Sequence, residues 1–286
     1  MNRLFVDNLT VIDFAFLDPD RGLVGESWIV DIELAGRLDD QGMVFDFAHV
    51  KKAIKGLIDE EVDHRLLVPA DSPALQWDQE GDQVTLIWQT TRDGFIRHCS
   101  PEQAVRQVPG EQVDKEGVER LLEKALREIL PENVTRVELR LRQEAISGEY
   151  FHYVHGLKKH DGNCQRIAHG HRSKLEIWRD GDRAQDLEAY WCRRWKDIYI
   201  ATRSDLVEEF QKDGLSYCRF EYTSAQGRFE LTLASHRVHF MDSDSTVELI
   251  ANHLSLETQH QHSGSSITVK AFEGVNKGAV ASCSPP

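Results

Sequence analysis

The sequence predicts an α+β protein made of two related halves, residues 1–148 and 149–286. Runs of alternating apolar residues indicate half-buried strands, and other segments place apolar residues at helical spacing. The helical segments VERLLEKAL, from position 118, and VELIANHL, from position 247, lie 129 positions apart. Such a repeat indicates two copies of one folding unit.

Composition and charge exclude several classes of protein. The chain has 286 residues, of which 40% are hydrophobic, and its formal charge is −14. This composition is typical of a folded globular protein rather than a disordered or fibrous one. An excess of negative charge argues against general binding to nucleic acid or to an anionic membrane. The densest basic patch is only Arg193, Arg194 and Lys196.

We expect a cytoplasmic protein. Asp7 and Asp13 interrupt the apolar stretch at the N-terminus, and no run approaches the ~18 apolar residues that a membrane span needs. The five cysteines form no CxxC pair, and a reducing compartment would leave them free.

The first half reads as strands followed by helices. Residues 26–36 alternate as a strand that ends at Gly36, and residues 43–64 contain a run with helical spacing. Two alternating runs within residues 75–97 predict an inserted hairpin. A second amphipathic helix stops at Pro131, and the strand RVELRLRQEA follows it.

The second half repeats this order less clearly. YFHYVHGL and HGHRSKLEIW predict a strand pair, and a helix from Val247 to Leu254 precedes the strand SITVKAF. Residues 183–233 match the first half poorly. We expect a polar loop after Glu257 and a frayed C-terminus.

A cluster of histidines in the second half predicts a zinc site. His169 and His171 are two residues apart, so on a strand their side chains share one face. His155, on the preceding strand, is the expected third ligand. Three protein ligands with an open fourth position are typical of catalytic zinc. The alternative is that these are surface histidines in a chain that has 13 of them.

Cys164 lies between the two histidine strands and is left without a role as a ligand. A free thiol beside a dication loses its proton more readily and can act as a base or a nucleophile.

These residues resemble the zinc-site pattern of the 6-pyruvoyl-tetrahydropterin synthase and 6-carboxytetrahydropterin synthase family. The matching positions are Phe151, Tyr153, His155, Leu157, Cys164, His169, Gly170 and His171. In the first half, GRLDDQGMVFDFAHVKKAIKGLIDEEVDHRLL resembles the passage that leads into the family's Asp-His pair, here Asp63-His64.

The resemblance implies two T-fold domains, each an antiparallel sheet backed by helices, with a barrel closed on oligomerisation. In the first half Phe16, Val24 and Glu26 stand where the family has its zinc histidines. Active sites of this family lie where domains meet. We therefore expect the zinc and Cys164 of the second half to meet Asp63-His64 of the first, in the same chain or a neighbouring one. The alternative is that Asp63-His64 caps a helix end and has no catalytic role.

The resemblance also implies a glutamate that anchors the pterin ring at the end of the last strand. Glu273 is the expected residue in the zinc-bearing half, and Glu144, 129 positions earlier, is its expected counterpart. The second half has no clear Asp-His pair. Ser235-His236 is the closest candidate, although it could belong to an inserted hairpin.

We therefore expect a homo-oligomeric, zinc-dependent lyase acting on a small pterin, 7,8-dihydroneopterin triphosphate. The expected product is 6-carboxy-5,6,7,8-tetrahydropterin, of the queuosine pathway. His155, His169 and His171 would bind Zn²⁺, and Cys164, His64 and Asp63 would be catalytic. Three alternatives remain: 6-pyruvoyltetrahydropterin synthesis, a noncatalytic pterin- or purine-binding protein, and, less well supported, a zinc hydrolase.

Overall fold

The computed structural model describes residues 2–46 and 50–285, and at positions 50 and 51 it describes the backbone only. Within these ranges, the first half contains eight strands and two α-helices. Its strands are β1 (Asn2–Asp18), β2 (Gly22–Gly36), β3 (Leu66–Pro69), β4 (Leu75–Glu80), β5 (Gln83–Gln89), β6 (Phe95–Pro101), β7 (Val105–Val108) and β8 (Val134–Arg142). Its helices are α1 (Lys55–Glu61), which follows a π-helical turn over Val50–Ile54, and α2 (Lys115–Arg127).

The second half repeats this order and adds strands. They are β9 (Tyr150–His155), β10 (His169–Arg179), β11 (Asp182–Arg183), β12 (Ile198–Thr202), β13 (Leu206–Lys212), β14 (Leu215–Ser224), β15 (Gly227–Ala234), β16 (Val238–Met241), β17 (Ile267–Phe272) and β18 (Gly278–Cys283). Its helices are α3 (Gln185–Arg194) and α4 (Val247–Gln261). No helix in the described ranges has the length and apolar character needed to cross a bilayer.

Each half forms one main sheet, and the two sheets have the same strand order. The first is β7-β3-β1-β2-β8, and the second is β16-β12-β9-β10-β17-β18, with β11 beside β10. Most pairs are antiparallel, but β1-β3, β3-β7, β9-β12 and β12-β16 are parallel. The chain therefore contains two copies of one folding unit, as the sequence repeat predicts and as the resemblance to a protein of two T-fold domains implies.

Both halves contribute to a third sheet of six strands, β13-β14-β15-β6-β5-β4. The predicted hairpin is a three-stranded meander over residues 75–101, because β6 follows it. The buried positions of β6 include His98 and Ser100, which hide its alternation from a search for apolar residues. The poorly matching segment of the second half holds the equivalent meander, and β6 pairs with β15.

Three apolar clusters hold these layers together. One lies between the first sheet and its helices and includes Phe14 and Leu122. Another lies between the second sheet and its helices and includes Trp191 and Leu254. The third joins both main sheets to the six-stranded sheet and includes Trp88. Burial of this apolar surface fixes the two halves against each other.

The C-terminal region is more ordered than the sequence indicates. The segment after Glu257 continues α4 to Gln261, where Thr258 and Gln259 are buried. Of the expected frayed end, residues 282–286, Ser282 and Cys283 belong to β18, which pairs with β17 from Gly278 to Cys283.

The main sheets cross closely at two glycines, Gly25 of β2 and Gly170 of β10. A Cβ added to Gly25 would lie 2.0 Å from the carbonyl oxygen of Tyr153. A Cβ added to Gly170 would lie 2.6 Å from the Cα of Gly25. Backbone cannot yield as a flexible side chain can, so only glycine fits at this crossing.

We expect Gly25→Ala to lower the free energy of unfolding by about 3 kcal/mol, because its methyl group would push the halves apart. Denaturant unfolding measures this change. Gly56→Ala is the matched control, since its Cβ meets open space. The control should stay within about 1 kcal/mol of wild type. Equal unfolding free energies for the two variants would contradict the tight crossing.

Candidate metal centre and catalytic residues

Three buried histidines converge at the end of the β9-β10 hairpin. His155 pairs with His169 across the hairpin, and His171 follows two residues later on the same face of β10. Each is at most 1% exposed. Their ligand atoms all lie within 4.8 Å of one another, and the Nε2 atoms of His155 and His171 are 3.3 Å apart. The arrangement can hold a metal ion.

Backbone contacts orient two of these rings for metal binding. His155 Nδ1 lies 3.0 Å from the carbonyl oxygen of Ser245, and His169 Nδ1 lies 3.0 Å from that of Arg166. Each Nδ1–H therefore donates outward, which leaves the Nε2 lone pair facing inward. Burial lowers the pKa of both rings well below the usual value, so they are neutral. His169 Nε2 has no partner among the described atoms, as expected of a metal ligand.

Asp13 of the first half lies behind the third histidine. Its Oδ1 is 3.2 Å from His171 Nδ1 and accepts a hydrogen bond from Ser27 Oγ at 2.5 Å. Lys277 Nζ lies 3.0 Å from Oδ2. Burial alone would raise the pKa of Asp13, but His171, Lys277 and Ser27 hold it well below its usual range. A carboxylate behind a metal-binding histidine fixes the ring and raises its basicity.

Asp63 and His64 reach the same place from the first half, in the turn between α1 and β3. Asp63 Oδ2 lies 2.7 Å from His64 Nδ1. Asp63 Oδ1 accepts from the backbone N–H of Asp13, and the N–H of His64 donates to the carbonyl of Asp13. These bonds hold His64 at φ +56°, a left-handed conformation that costs a residue with a Cβ about 1–2 kcal/mol.

Cys164 lies in a 3₁₀ turn, Asn163–Gln165, between the two histidine strands. Its sulfur and a ring nitrogen each of His64 and His169 are within 4.8 Å of one another. Burial opposes the charge on His64, but its hydrogen bonds to Asp63 and Cys164 outweigh burial and raise the pKa of His64 to about 10. A protonated imidazole has no lone pair for a metal. His64 therefore suits proton transfer, and His155, His169 and His171 suit the metal.

Glu273 follows β17 and borders the histidines. Its Oε1 lies 3.9 Å from His171 Nε2, and its side chain is 23% exposed. A carboxylate at the mouth of the site can accept hydrogen bonds from a ligand.

Glu144 is not the positional counterpart of Glu273, contrary to the 129-residue spacing. Glu176 pairs with Lys270 in the second sheet, and the equivalent Asp31 pairs with Arg140 in the first, so these strands are offset by 130 residues. This offset equates Glu273 with Gln143. Glu144 instead forms an ion pair with Lys174 at 2.7 Å. The spacing between the two helices does not reveal this difference of one residue at the strand end.

Ser235-His236 does not occupy the place of Asp63-His64. It lies in the turn between β15 and β16, where His236 contacts Asp93 at 3.1 Å and is 55% exposed. The equivalent turn, before β12, holds Lys196-Asp197, and Asp197 has φ +55°, nearly that of His64.

The hairpin register also identifies the positions of the first half that are equivalent to the three histidines. Phe16 pairs with Val24 as His155 pairs with His169, and Glu26 occupies the position of His171. None of these three hairpin positions of the first half therefore carries a histidine.

Sequence reasoning missed Asp13, Ser27 and Lys277. A carboxylate within the apolar run VIDFAF was the available signal for Asp13, because a charge on a buried strand needs partners. Ser27 and Lys277 carry no comparable signal, since polar residues at such positions are usually solvated.

We expect Asp63→Asn to lower the pKa of His64 by about 1 to 3 pH units, since it removes the charge that favours the imidazolium. The amide oxygen can still accept from Asp13. The folded pKa of His64 lies above its unfolded value of about 6.5, so this stabilisation is present below pH 6.5 and is lost as pH rises through 10. Unfolding free energies should therefore differ most near pH 6 and converge above pH 10.

NMR titration of ring-labelled histidine checks the pKa directly. His98, whose buried ring lies in the six-stranded sheet, is the internal control. An unchanged His64 titration in the variant would contradict the charge coupling.

Comparison with known proteins identifies relatives of this chain. A 6-carboxy-5,6,7,8-tetrahydropterin synthase of Aquifex aeolicus is 42% identical over 52 residues, 18% of this chain and 32% of that protein. A protein of Pyrococcus horikoshii assigned provisionally to the same synthase is 27% identical over 81 residues, 28% of this chain and 45% of that protein. The chain thus aligns with less than half the length of these curated relatives.

Among solved structures, the 6-pyruvoyl tetrahydropterin synthase of Plasmodium falciparum is 18% identical, with a TM-score of 0.40. That alignment covers 49% of this chain and 90% of the Plasmodium chain. The sequence model of the 6-pyruvoyl tetrahydropterin synthase family matches this chain twice, over residues 16–142 and 145–283. The chain is therefore a tandem member of the 6-pyruvoyl tetrahydropterin synthase family.

Proposed function

We propose that the protein is a zinc-dependent lyase that converts 7,8-dihydroneopterin triphosphate to 6-carboxy-5,6,7,8-tetrahydropterin. The observation that carries the proposal is the meeting of Cys164 and Asp63-His64 beside three buried histidines. The residues come from both halves of one chain. We also propose that the domain boundary lies at Gly148.

His155, His169 and His171 would hold the zinc ion. The neutral rings of His155 and His169, the unpartnered Nε2 of His169 and the carboxylate behind His171 fit such a group. When bound, Zn²⁺ would polarise the hydroxyl groups of the substrate side chain and stabilise developing negative charge.

Proton transfer would belong to Cys164 and His64. The Cys164 thiolate would take a proton from the substrate side chain, and the imidazolium of His64 would stabilise that thiolate. His64 would then return a proton as a general acid. Asp63 would orient the ring through the bond to Nδ1, which leaves Nε2–H for the transfer.

Glu273 would anchor the pterin ring. The guanidine-like edge of a pterin offers paired N–H donors, which match the two oxygens of a carboxylate. Its position 3.9 Å from His171 would keep the side chain of a bound pterin near the histidines. Glu144 has no part in this proposal, because it is paired with Lys174.

The names of the relatives from Aquifex and Pyrococcus favour the 6-carboxy product, which belongs to the cytoplasmic synthesis of queuosine and other deazapurines. The alternative product is 6-pyruvoyltetrahydropterin. Mass analysis of the pterin formed distinguishes the two.

We expect zinc-loaded protein to convert 7,8-dihydroneopterin triphosphate to the 6-carboxy product, and chelation to stop the reaction. Cys164→Ala should lower kcat by at least about a hundredfold while zinc stays bound, since the thiol is a proton-transfer group rather than a ligand. Product mass and zinc content are measured on the same samples.

Cys283→Ala, which removes a free thiol from β18, is the matched control and should keep full activity. Zinc-bound wild type without any product would refute the lyase and favour a noncatalytic pterin-binding protein. A 6-pyruvoyl product would retain the lyase and change its branch.

We propose further that the chain forms a homo-oligomer in which sheets from neighbouring copies join into a barrel. Within the described chain, β8 and β18 lie at the outer edges of the two main sheets. Unpaired strand edges bind other strands unless they are protected.

Sedimentation velocity at micromolar concentration should show an assembly larger than the 32.8 kDa chain. Val280, exposed at 62% on β18, offers a variant. Val280→Pro should weaken the assembly by removing a backbone donor from that edge. A monomeric wild type would contradict the proposed barrel.

A further inference from the structure

A cavity lies between the two halves, at the place that corresponds, for the first half, to the metal centre of the second. Its volume is about 520 Å³, within the range of small-molecule sites. It is lined by residues from β9, β10, α3 and the connection between the halves, together with Arg21. The hairpin registers equate its His152 with Asp13 of the metal centre, and its Arg172 with Ser27.

Beside this cavity, the residues at the positions equivalent to the three histidines cannot bind a metal ion. Phe16 and Val24 stand in place of His155 and His169 and have no lone pairs. Glu26, in place of His171, accepts hydrogen bonds from the Gln143 side chain at 2.7 Å and the Ser27 N–H at 2.9 Å. Its oxygens are therefore already engaged.

The cavity also lacks the pterin anchor. Gln143 stands where the metal centre has Glu273, and an amide cannot offer two acceptor oxygens to paired N–H donors. The proposed pterin chemistry is absent here.

Other replacements add positive charge. Lys196 occupies the position of Asp63, and Arg172 that of Ser27. Arg21 and Arg193 also line the cavity, and Glu149 is the one acidic lining residue among the described residues. The acid that replaces His64, Asp197, is buried and bonded to Arg21 at 2.5 and 3.1 Å, so it positions that guanidinium.

The contacts of Arg172 hold its guanidinium in a fixed position in which it can bind an anion. It is 8% exposed, its guanidinium lies 4.1 Å from the centre of the Tyr150 ring, and its NH1 donates to the carbonyl of Glu144 at 2.9 Å. Arginine has five N–H donors, so others remain available. Arg193 and Lys196 are exposed and have no ion pair within the described ranges.

We propose that this cavity binds a small molecule carrying a polyphosphate group. Arg21 is already paired with Asp197, but Arg172, Arg193 and Lys196 still exceed what the single lining carboxylate of Glu149 would neutralise. Guanidinium groups match phosphate oxygens in pairs. The whole chain carries −14, so these cations are concentrated locally against the overall charge. The site is separate from the proposed lyase and does not require it.

Isothermal titration calorimetry of the full, metal-stripped chain with inorganic triphosphate tests the proposal. We expect one site per chain, and Arg193→Ala/Lys196→Ala should weaken binding at least tenfold. Arg127→Ala/Arg136→Ala removes the same charge from exposed positions outside this cavity and should bind like wild type. Arg172→Met is a second variant, with thermal unfolding recorded to confirm that it folds.

A parallel titration with GTP distinguishes ligand sources. Tighter binding of GTP than of triphosphate indicates a nucleotide-like ligand, and equal binding indicates free polyphosphate, both within the proposal. Absence of binding at millimolar triphosphate, or equal binding by wild type and Arg193→Ala/Lys196→Ala, would overturn it. Because the readout is binding, such a failure leaves the lyase untouched.

Discussion

The arrangement of the candidate metal centre depends on the contacts that stabilise one buried charge, the carboxylate of Asp13. A charge removed from water destabilises a protein unless neighbours replace the lost hydration. Here His171, Lys277 and Ser27 contact the carboxylate, and both backbone polar groups of Asp13 bind the turn that carries Asp63-His64. One residue of the first half therefore connects the Asp63-His64 pair to the histidines of the second.

Close contact between the halves makes this compensation possible. Gly25 and Gly170 let β2 and β10 approach until backbone meets backbone, while the shared six-stranded sheet joins the halves elsewhere. The histidines need no long loop to reach their positions, because a hairpin register and a two-residue spacing place all three. Rigid strands hold such ligands more precisely than loops can.

The sequence was informative where chemistry requires particular residue types. His155, His169, His171 and Cys164 could be singled out as candidates because few other residue types serve metal binding or proton transfer. Asp63-His64 could be singled out by the resemblance to a known family. The strand β6 escaped detection because its buried positions include polar His98 and Ser100. The equivalence of Glu273 with Gln143 depends on pairing between distant strands, which local spacing cannot reveal. Whether these groups of the two halves meet within one chain likewise follows only from the packing of the sheets.

Asp13 and His152 occupy equivalent positions in the two halves, and this difference between the halves has an evolutionary consequence. In an assembly of identical single-domain chains, every copy has the same residue at that position, so one mutation alters all sites together. Tandem duplication releases this constraint. The first half can keep an aspartate for the metal centre while the second has a histidine at its own equivalent position. A duplicated chain can therefore preserve one ancestral site while its twin diverges.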